Sequence, residues 1–203
     1  MLEEMYIYDK RHGWREPDNY EDMFSDREIE SLKNQELDII LNDIYFGDEY
    51  LDENNTANKV SSLFDLYPYV RTHLKALVIR VLDDEIILVD DNFELKTVQW
   101  SNEYSWARKK ISIDQLDIRP QGFNDIVSFG DFVYLKLIND FYSLDQIPEA
   151  EGSLISINPD SGEVIAYIGG KNFNESNFDR IRLSYPQSGS SFKPFIYSSA
   201  FAN

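Results

Sequence analysis

The fold is constrained most by a series of short apolar segments that are separated by turn residues. These segments are residues 74–82, 85–89, 95–100, 132–137 and 141–147. They are short, they are rich in branched and aromatic residues, and Asp and Asn lie between most of them, which is typical of β-strands joined by tight turns. Five short strands of this kind predict a small barrel or an open barrel.

A further pair of apolar segments, residues 153–157 and 163–168, flanks the sequence Asn-Pro-Asp-Ser-Gly and predicts a β-hairpin. The second segment is apolar at almost every position. A strand that is apolar on both faces is typical of a sheet that helices cover on each side. We therefore expect this hairpin to belong to a larger α/β sheet that lies mostly outside this sequence.

The first 70 residues predict helices. Residues 1–20 indicate a short helix and then a loop. Ser25 and Glu28 have the spacing of a capping box, and apolar residues follow at helical spacing as far as Gly47. The acidic residues 48–58 predict an exposed loop. The predicted fold class is thus α+β, mainly β with helices.

Composition excludes several kinds of partner. The formal net charge is −18, from 19 basic and 37 acidic residues, and this opposes binding to the phosphates of nucleic acid. No apolar stretch reaches the roughly 18 residues of a membrane span, so we expect a membrane anchor only outside this chain. The chain has no Cys, and His12 and His73 lack the spacing of metal ligands. No metal or other cofactor is predicted.

Ser190 and Lys193 form a Ser-x-x-Lys pattern. On a helix, residues three apart lie on one face, so the two side chains can meet. A Ser hydroxyl becomes a nucleophile when a base takes its proton, and a Lys accepts a proton when its pKa is lowered. Gly189 and Pro194 predict that Ser190 lies at a helix N-terminus, where the positive potential favours both a neutral Lys and an oxyanion.

Taken alone, this pattern has low specificity. About one Ser-x-x-Lys is expected by chance in a chain of this length. The alternative interpretation is an N-cap Ser beside a surface Lys. The residues around the pattern favour the catalytic interpretation.

Several elements around Ser190 follow one another in a particular order. They are Tyr167-Ile168-Gly169-Gly170, Phe178-Asp179-Arg180, Gln187, and Gly189-Ser190-Ser191-Phe192-Lys193-Pro194. Their order and approximate spacing resemble the start of the transpeptidase domain of class A penicillin-binding proteins. The sequence departs from the family pattern at Asp179, Pro186 and Ser188, where Asn, Arg, and an apolar residue or Pro are usual.

Elements further upstream resemble the OB-like docking domain of the 1A type of this family. They are the run from Asp9 to Pro17, Trp106-Ala107-Arg108, Phe129-Gly130-Asp131, and Gln146-Ile147-Pro148-Glu149. The resemblance implies four parts. They are a linker that leads into the docking domain (1–20), a helical insertion (21–70), an OB-like five-stranded barrel (71–150), and the truncated start of an α/β transpeptidase domain with a hairpin and the nucleophile helix (151–203).

The resemblance also implies a function. The intact protein would be a bifunctional peptidoglycan synthase on the periplasmic side of the bacterial inner membrane. Ser190 would attack the D-Ala-D-Ala bond of a stem peptide, Lys193 would accept its proton, and penicillin would acylate the same serine. The family's other motifs, Ser-x-Asn and Lys-Thr/Ser-Gly, follow the nucleophile and are expected beyond Asn203. The fragment itself is therefore expected to be inactive.

Two other functions stay open at this point. One is a protein-docking module for an envelope regulator such as the outer-membrane lipoprotein activator of this subfamily. The other is an OB-type module that binds oligosaccharide or oligonucleotide, with a chance Ser-x-x-Lys. A measured affinity of the barrel for such a ligand would favour the second, although the acidic charge argues against oligonucleotide.

Overall fold

A computed structural model describes residues 2–34, 56–112, 114–173, 176–185 and 188–202. The chain forms two compact units, Leu2–Ala150 and Glu151–Asn203. Both units contain helices and antiparallel strands, which confirms the predicted α+β class. Within the described residues, no helix is long and apolar enough to cross a membrane.

The described residues of the first unit form three α-helices and seven strands. The helices are α1 (Leu2–Lys10), α2 (Asp26–Lys33) and α3 (Thr56–Leu66). The strands are β1 (His73–Val81), β2 (Glu85–Asp90), β3 (Leu95–Gln99), β4 (Lys110–Ser112), β5 (Gln115–Leu116), β6 (Phe132–Ile138) and β7 (Phe141–Asp145). The five segments predicted as barrel strands correspond to β1, β2, β3, β6 and β7, and their ends agree to within two residues.

These five strands form one curled antiparallel sheet in the order β3-β2-β1-β6-β7. The central strand β1 pairs with β2 on one side and with β6 on the other. The edge strands β3 and β7 lie close together, although no hydrogen-bonded ladder joins them among the described residues. The sheet is therefore a partly open five-stranded barrel, and the predicted OB-like architecture is confirmed.

Strand β1 is apolar on both faces because each face is covered. Ala76 and Val78 belong to the cluster in the barrel interior, whereas Leu77 and Ile79 belong to a second cluster on the outer face. All four side chains are completely buried. The pairing of β1 with β2 shifts by one residue between Val78 and Arg80, which is a β-bulge that bends the strand.

Helices α2 and α3 cover the outer face of the sheet. Leu32 of α2 and Val60 and Leu63 of α3 are buried in the outer cluster. The sequence analysis did not predict the start of α3, which overlaps the loop predicted for residues 48–58. The apolar residues of α3 nevertheless have helical spacing. The last three residues of that predicted loop are helical, and residues 48–55 lie outside the described residues. The predicted helix beyond Asn34 also lies outside them.

Glu28 joins the two covering helices. It forms the predicted capping box with Ser25, whose N–H donates to Glu28 Oε2 at 2.7 Å. Thr56 Oγ1 and Lys59 Nζ of α3 both donate to Glu28 Oε1 at 2.9 Å. Burial raises the pKa of Glu28, but the hydrogen bonds from Ser25, Lys59 and Thr56 outweigh it and lower the pKa to about 2.

Residues 2–20, which the sequence suggested to be a linker, pack against the barrel. The predicted short helix is confirmed as α1. Trp14 is 3% exposed and lies in the interior cluster, and its Nε1 donates to the carbonyl of Ile126 at 2.9 Å. The indole therefore contributes to the core of the barrel.

The described residues of the second unit form the predicted hairpin and two α-helices. The hairpin consists of β8 (Leu154–Ile157) and β9 (Val164–Ile168), which pair antiparallel. The helices are α4 (Arg180–Leu183) and α5 (Lys193–Ala202), and a 3-10 turn (Gly189–Phe192) leads directly into α5.

Candidate functional site

Ser190 lies in the 3-10 turn that precedes α5. Gly189 has φ +48°, in the left-handed region that favours Gly, so the chain turns sharply into the helix. The N–H of Lys193 donates to the carbonyl of Ser190, which is the hydrogen bond of a 3-10 turn. Side chains three residues apart eclipse in this geometry. The turn therefore puts Ser190 and Lys193 on one face.

The beginning of α5 adds a positive potential at this face. Pro194 lies in the first turn of α5, where its missing N–H leaves no helical hydrogen bond unmade. The free amides at this helix end favour negative charge near Ser190. The side chains of Ser190 and Lys193 are both exposed, and neither forms a hydrogen bond or ion pair in the part of the chain that the structure describes.

Asp179 is organised by the hairpin and by α4. Its Oδ1 caps α4 by accepting from the N–H groups of Ile181 at 3.1 Å and Arg182 at 3.3 Å. Tyr167 Oη of β9 donates to Asp179 Oδ2 at 2.6 Å. This hydrogen bond from Tyr167 lowers the pKa of Asp179 and raises the pKa of the tyrosine. Asp179, at the position where the family usually has Asn, is thus a carboxylate that accepts hydrogen bonds from three donors.

Gly169 and Gly170 allow the segment before α4 to approach the end of the hairpin. A Cβ on Gly169 would lie 2.8 Å from Asp179 Oδ1, and a Cβ on Gly170 would lie 3.0 Å from Arg180 Nη1. The N–H of Arg180 donates to the carbonyl of Gly169 at 2.9 Å, and its guanidinium lies 3.4 Å from Glu151. Two of the elements that carried the resemblance therefore meet in space.

A polar network that no sequence pattern predicted lies in the first unit. Gln146 Nε2 donates to Asp9 Oδ2 at 2.8 Å and to the carbonyl of Gly13 at 2.9 Å. Arg15 Nη1 donates to the same Asp9 oxygen at 2.8 Å. The partners belong to two elements of the upstream resemblance, but Asp9 and Gln146 are 137 residues apart, and local periodicity carries no signal for such a pair.

His73 is buried beside this network. Its Nε2 lies 3.3 Å from Asp145 Oδ2, and its ring stacks on Tyr6 of α1 at 5.1 Å. Lys10 Nζ lies 3.0 Å from Asp145 Oδ1. Burial raises the pKa of Asp145, but the hydrogen bond with His73 and the charge of Lys10 outweigh it and lower the pKa. Among the described residues, no cluster of His, Asp and Glu has an arrangement that would hold a metal ion.

The family assignment rests first on a family model. Residues 47–150, slightly more than half of the chain, match the model of the penicillin-binding protein OB-like domain. This range contains α3 and all seven strands of the first unit. The comparison therefore agrees with the barrel described above.

Curated proteins give the same assignment. Penicillin-binding protein 1A of Escherichia coli (strain K12) is 38% identical over 95 residues, which are 47% of this chain and 11% of that protein. Penicillin-binding protein 1A of Vibrio cholerae serotype O1 is 25% identical over 204 residues, which are 98% of this chain and 22% of that protein. The chain thus spans less than a quarter of the length of these two relatives.

A solved structure supports the fold. The 2.6 Å crystal structure of penicillin-binding protein 1A from Haemophilus influenzae matches 98% of this chain and 24% of its own chain, with a TM-score of 0.61 and 22% identity. The OB-like match, the relatives and this structural likeness agree with one another. The chain therefore belongs to the penicillin-binding protein family, as a segment related to the 1A type.

Proposed function

We propose that the chain is a segment of a peptidoglycan synthase in which Ser190 is the nucleophile of a D,D-transpeptidase. The observation that carries this proposal is the 3-10 turn that puts Ser190 and Lys193 on one face at the beginning of a helix. The membership of the chain in the penicillin-binding protein family supports the same chemistry.

In the proposed reaction, Ser190 Oγ attacks the carbonyl carbon of the D-Ala-D-Ala peptide bond. Lys193 Nζ takes the hydroxyl proton, and the terminal D-Ala leaves with a proton on its amine. The resulting ester then reacts with the amine of a second stem peptide, which restores the serine hydroxyl. The amides at the beginning of α5 stabilise negative charge that develops on the attacked carbonyl. Penicillin is expected to acylate Ser190 in the same way.

The 203-residue chain on its own is expected to be inactive. Ser190 and Lys193 are exposed, and neither side chain is hydrogen-bonded within the described ranges. Acylation requires a base that contacts the serine hydroxyl and takes its proton. The proposed activity therefore depends on further groups that desolvate and orient this pair. We also propose that the intact protein acts on the periplasmic side of the bacterial inner membrane, since peptidoglycan lies there.

Labelling with a fluorescent penicillin tests this assignment in the intact protein. We expect covalent labelling in the unchanged protein and none above background in Ser190→Ala. Ser191→Ala is the matched control, because it removes a neighbouring exposed hydroxyl, and it should keep its label. Lys193→Ala should slow labelling about 100-fold or more, and Lys193→Arg should not restore it, because Arg does not accept a proton. Persistent labelling of Ser190→Ala would show that another residue is acylated.

Protein docking is a second candidate function, favoured by an exposed apolar hairpin tip. Leu137, Ile138 and Phe141 are 55%, 45% and 77% exposed at the turn between β6 and β7. We propose that this tip binds an envelope partner, and the outer-membrane lipoprotein activator is the expected one. Phe141→Ser should weaken binding of the purified activator to this chain, whereas Tyr69→Ser, at a 74% exposed aromatic residue elsewhere in the unit, should not. Equal binding by both variants would contradict this role of the tip.

A further inference from the structure

The two ends of the first unit are joined by contacts between side chains. Asp9 accepts from three donors at once: Arg15 and Gln146 donate to Oδ2, and the N–H of Glu149 donates to Oδ1 at 3.2 Å. Arg15 Nη2 donates to the carbonyl of Ile147 at 2.5 Å, and Arg15 Nε lies 3.4 Å from Glu149. These contacts join residues 9–15 to residues 146–149.

Burial makes these contacts strong. Asp9 is 5% exposed and Gln146 is 7% exposed, so water competes poorly for their polar atoms. Hydrogen bonds to a charged partner in such surroundings are shorter and stronger than neutral ones. No buried polar side-chain atom in the described part of the chain lacks a hydrogen-bond partner. The network is therefore satisfied as it stands, and loss of one member removes a hydrogen-bond partner from each of the groups that contact it.

A second set of contacts runs parallel to the first. Lys10 of α1 and His73 of β1 both contact Asp145, the last residue of β7. Asp145 is 2% exposed. Its Oδ1 also accepts from the N–H of Gln146 at 2.9 Å. The two sets of contacts thus share the step from Asp145 to Gln146.

We propose that Asp9, Arg15 and Gln146 form a clamp that couples the position of α1 directly to that of residues 146–150. A displacement of one end then reaches the other through side chains, without deformation of the barrel sheet. This proposal concerns the first unit alone and does not depend on the proposed role of Ser190.

The clamp is separate from the apolar core. None of its three residues belongs to either apolar cluster. The backbone groups that it holds at the end of the unit, the carbonyl of Ile147 and the N–H of Glu149, follow β7 and are not part of its ladder. Regions held by few contacts open locally while the core stays closed. Opening of the clamp is therefore expected to free residues 147–150 and to leave the sheet intact, while α1 keeps its contacts with Asp145 and His73.

Amide hydrogen exchange of the whole chain tests the coupling in both directions. In Asp9→Asn, exchange at Glu149 should rise about tenfold, because its N–H loses a charged acceptor. In Gln146→Ala, exchange at Arg15 should rise in the same way, because the N–H of Arg15 donates to Gln146 Oε1. Exchange at Leu77 and Val133, in the centre of the sheet, should not change in either variant.

The matched control is Lys109→Gln. It removes the exposed ion pair of Lys109 with Glu16, at 2.8 Å, which lies close in sequence to Arg15 but outside the clamp. This variant should leave exchange at Arg15 and Glu149 unchanged. The double variant Asp9→Asn with Gln146→Ala should raise exchange at Glu149 no more than Asp9→Asn alone, because the residues act as one unit.

Two results would overturn the proposal. One is unchanged exchange at Glu149 in Asp9→Asn, which would show that the contact does not hold that end. The other is an equal rise at Glu149, Leu77 and Val133, which would show that the network supports the whole fold and that no separate clamp exists.

Discussion

Strands β1 and β9 are similar in sequence and different in burial. Both contain an uninterrupted apolar run, Ala76 to Ile79 in β1 and Val164 to Ile168 in β9. The four residues from Ala76 to Ile79 of β1 are completely buried, whereas Ile165 of β9 is 69% exposed and Val164 is 54% exposed. The strand pattern alone therefore does not determine whether an apolar strand is inside a core.

The difference lies in what covers each strand. The barrel interior covers one face of β1, and helices α2 and α3 cover the other. No described residue between 151 and 202 is buried. A two-stranded hairpin without a packed face is marginally stable in water. The first unit thus has its own core, whereas the described residues of the second unit bury no side chain.

The largest expected effect comes from one substitution made in both strands. Ile79→Ala should lower the free energy of unfolding by about 2 to 5 kcal/mol, because it opens a cavity in a filled core. Ile165→Ala, the matched change in β9, should change it by less than about 0.5 kcal/mol. Urea unfolding followed by far-UV circular dichroism measures both, whereas Trp fluorescence reports the first unit alone, which contains all three Trp residues.

A similar loss in the free energy of unfolding for Ile79→Ala and Ile165→Ala would contradict the difference in burial between β1 and β9. It would show that β9 is buried in solution, for example by self-association of the exposed apolar surface. Sedimentation of the unchanged chain and of Ile165→Ala shows whether the chain self-associates or stays monomeric.

An intermediate loss of stability is expected when Glu28, which joins helices α2 and α3, is replaced. Glu28→Ala should lower the free energy of unfolding by about 2 kcal/mol, because Lys59 and the N–H of Ser25 lose a charged partner. Glu30→Ala is the control in the same helix, at an exposed position, and should have little effect. Equal losses would show that Glu28 acts only through helix propensity.

The contacts of Glu28 also predict that the free energy of unfolding depends on pH. The pKa of Glu28 in the folded chain is about 2, below its ordinary value of 4.5. A lowered carboxyl pKa contributes stability that is fully present above the ordinary value and is lost as the pH falls towards the folded value. The stability difference between the unchanged chain and Glu28→Ala should therefore shrink as the pH falls from 4.5 towards 2. A constant difference over that range would contradict a contribution from the ionised carboxylate.

The smallest effect is expected in the second unit. Asp179→Ala should speed amide exchange at Ile181 and Arg182, whose N–H groups lose their cap, without a change in the Trp-monitored unfolding of the barrel. Asp179→Asn keeps an acceptor oxygen and should retain most of the protection. Asp160→Ala, an exposed acidic change in the hairpin turn, is the control. A shift of barrel unfolding in Asp179→Ala would show that the effect of this cap is not confined to the second unit.

The candidate site was predicted from local sequence because its geometry is local. Ser190 and Lys193 are three residues apart, and Gly189 determines the turn that puts them on one face. Their role as nucleophile and proton acceptor stays a prediction. The contact of Tyr167 with Asp179 had no such signal, because it depends on how the hairpin end and α4 approach across two glycines.

The sequence by itself determined the strand segments, the capping box at Ser25, the hairpin turns and the Ser-x-x-Lys turn. Each of these depends on residues a few positions apart, where the periods of strand and helix leave a readable pattern. Only the tertiary structure decided that β1 is covered and β9 is exposed, and that Asp9 contacts Gln146. Such choices depend on residues far apart in the chain, whose packing and hydrogen bonds leave no local period in the sequence.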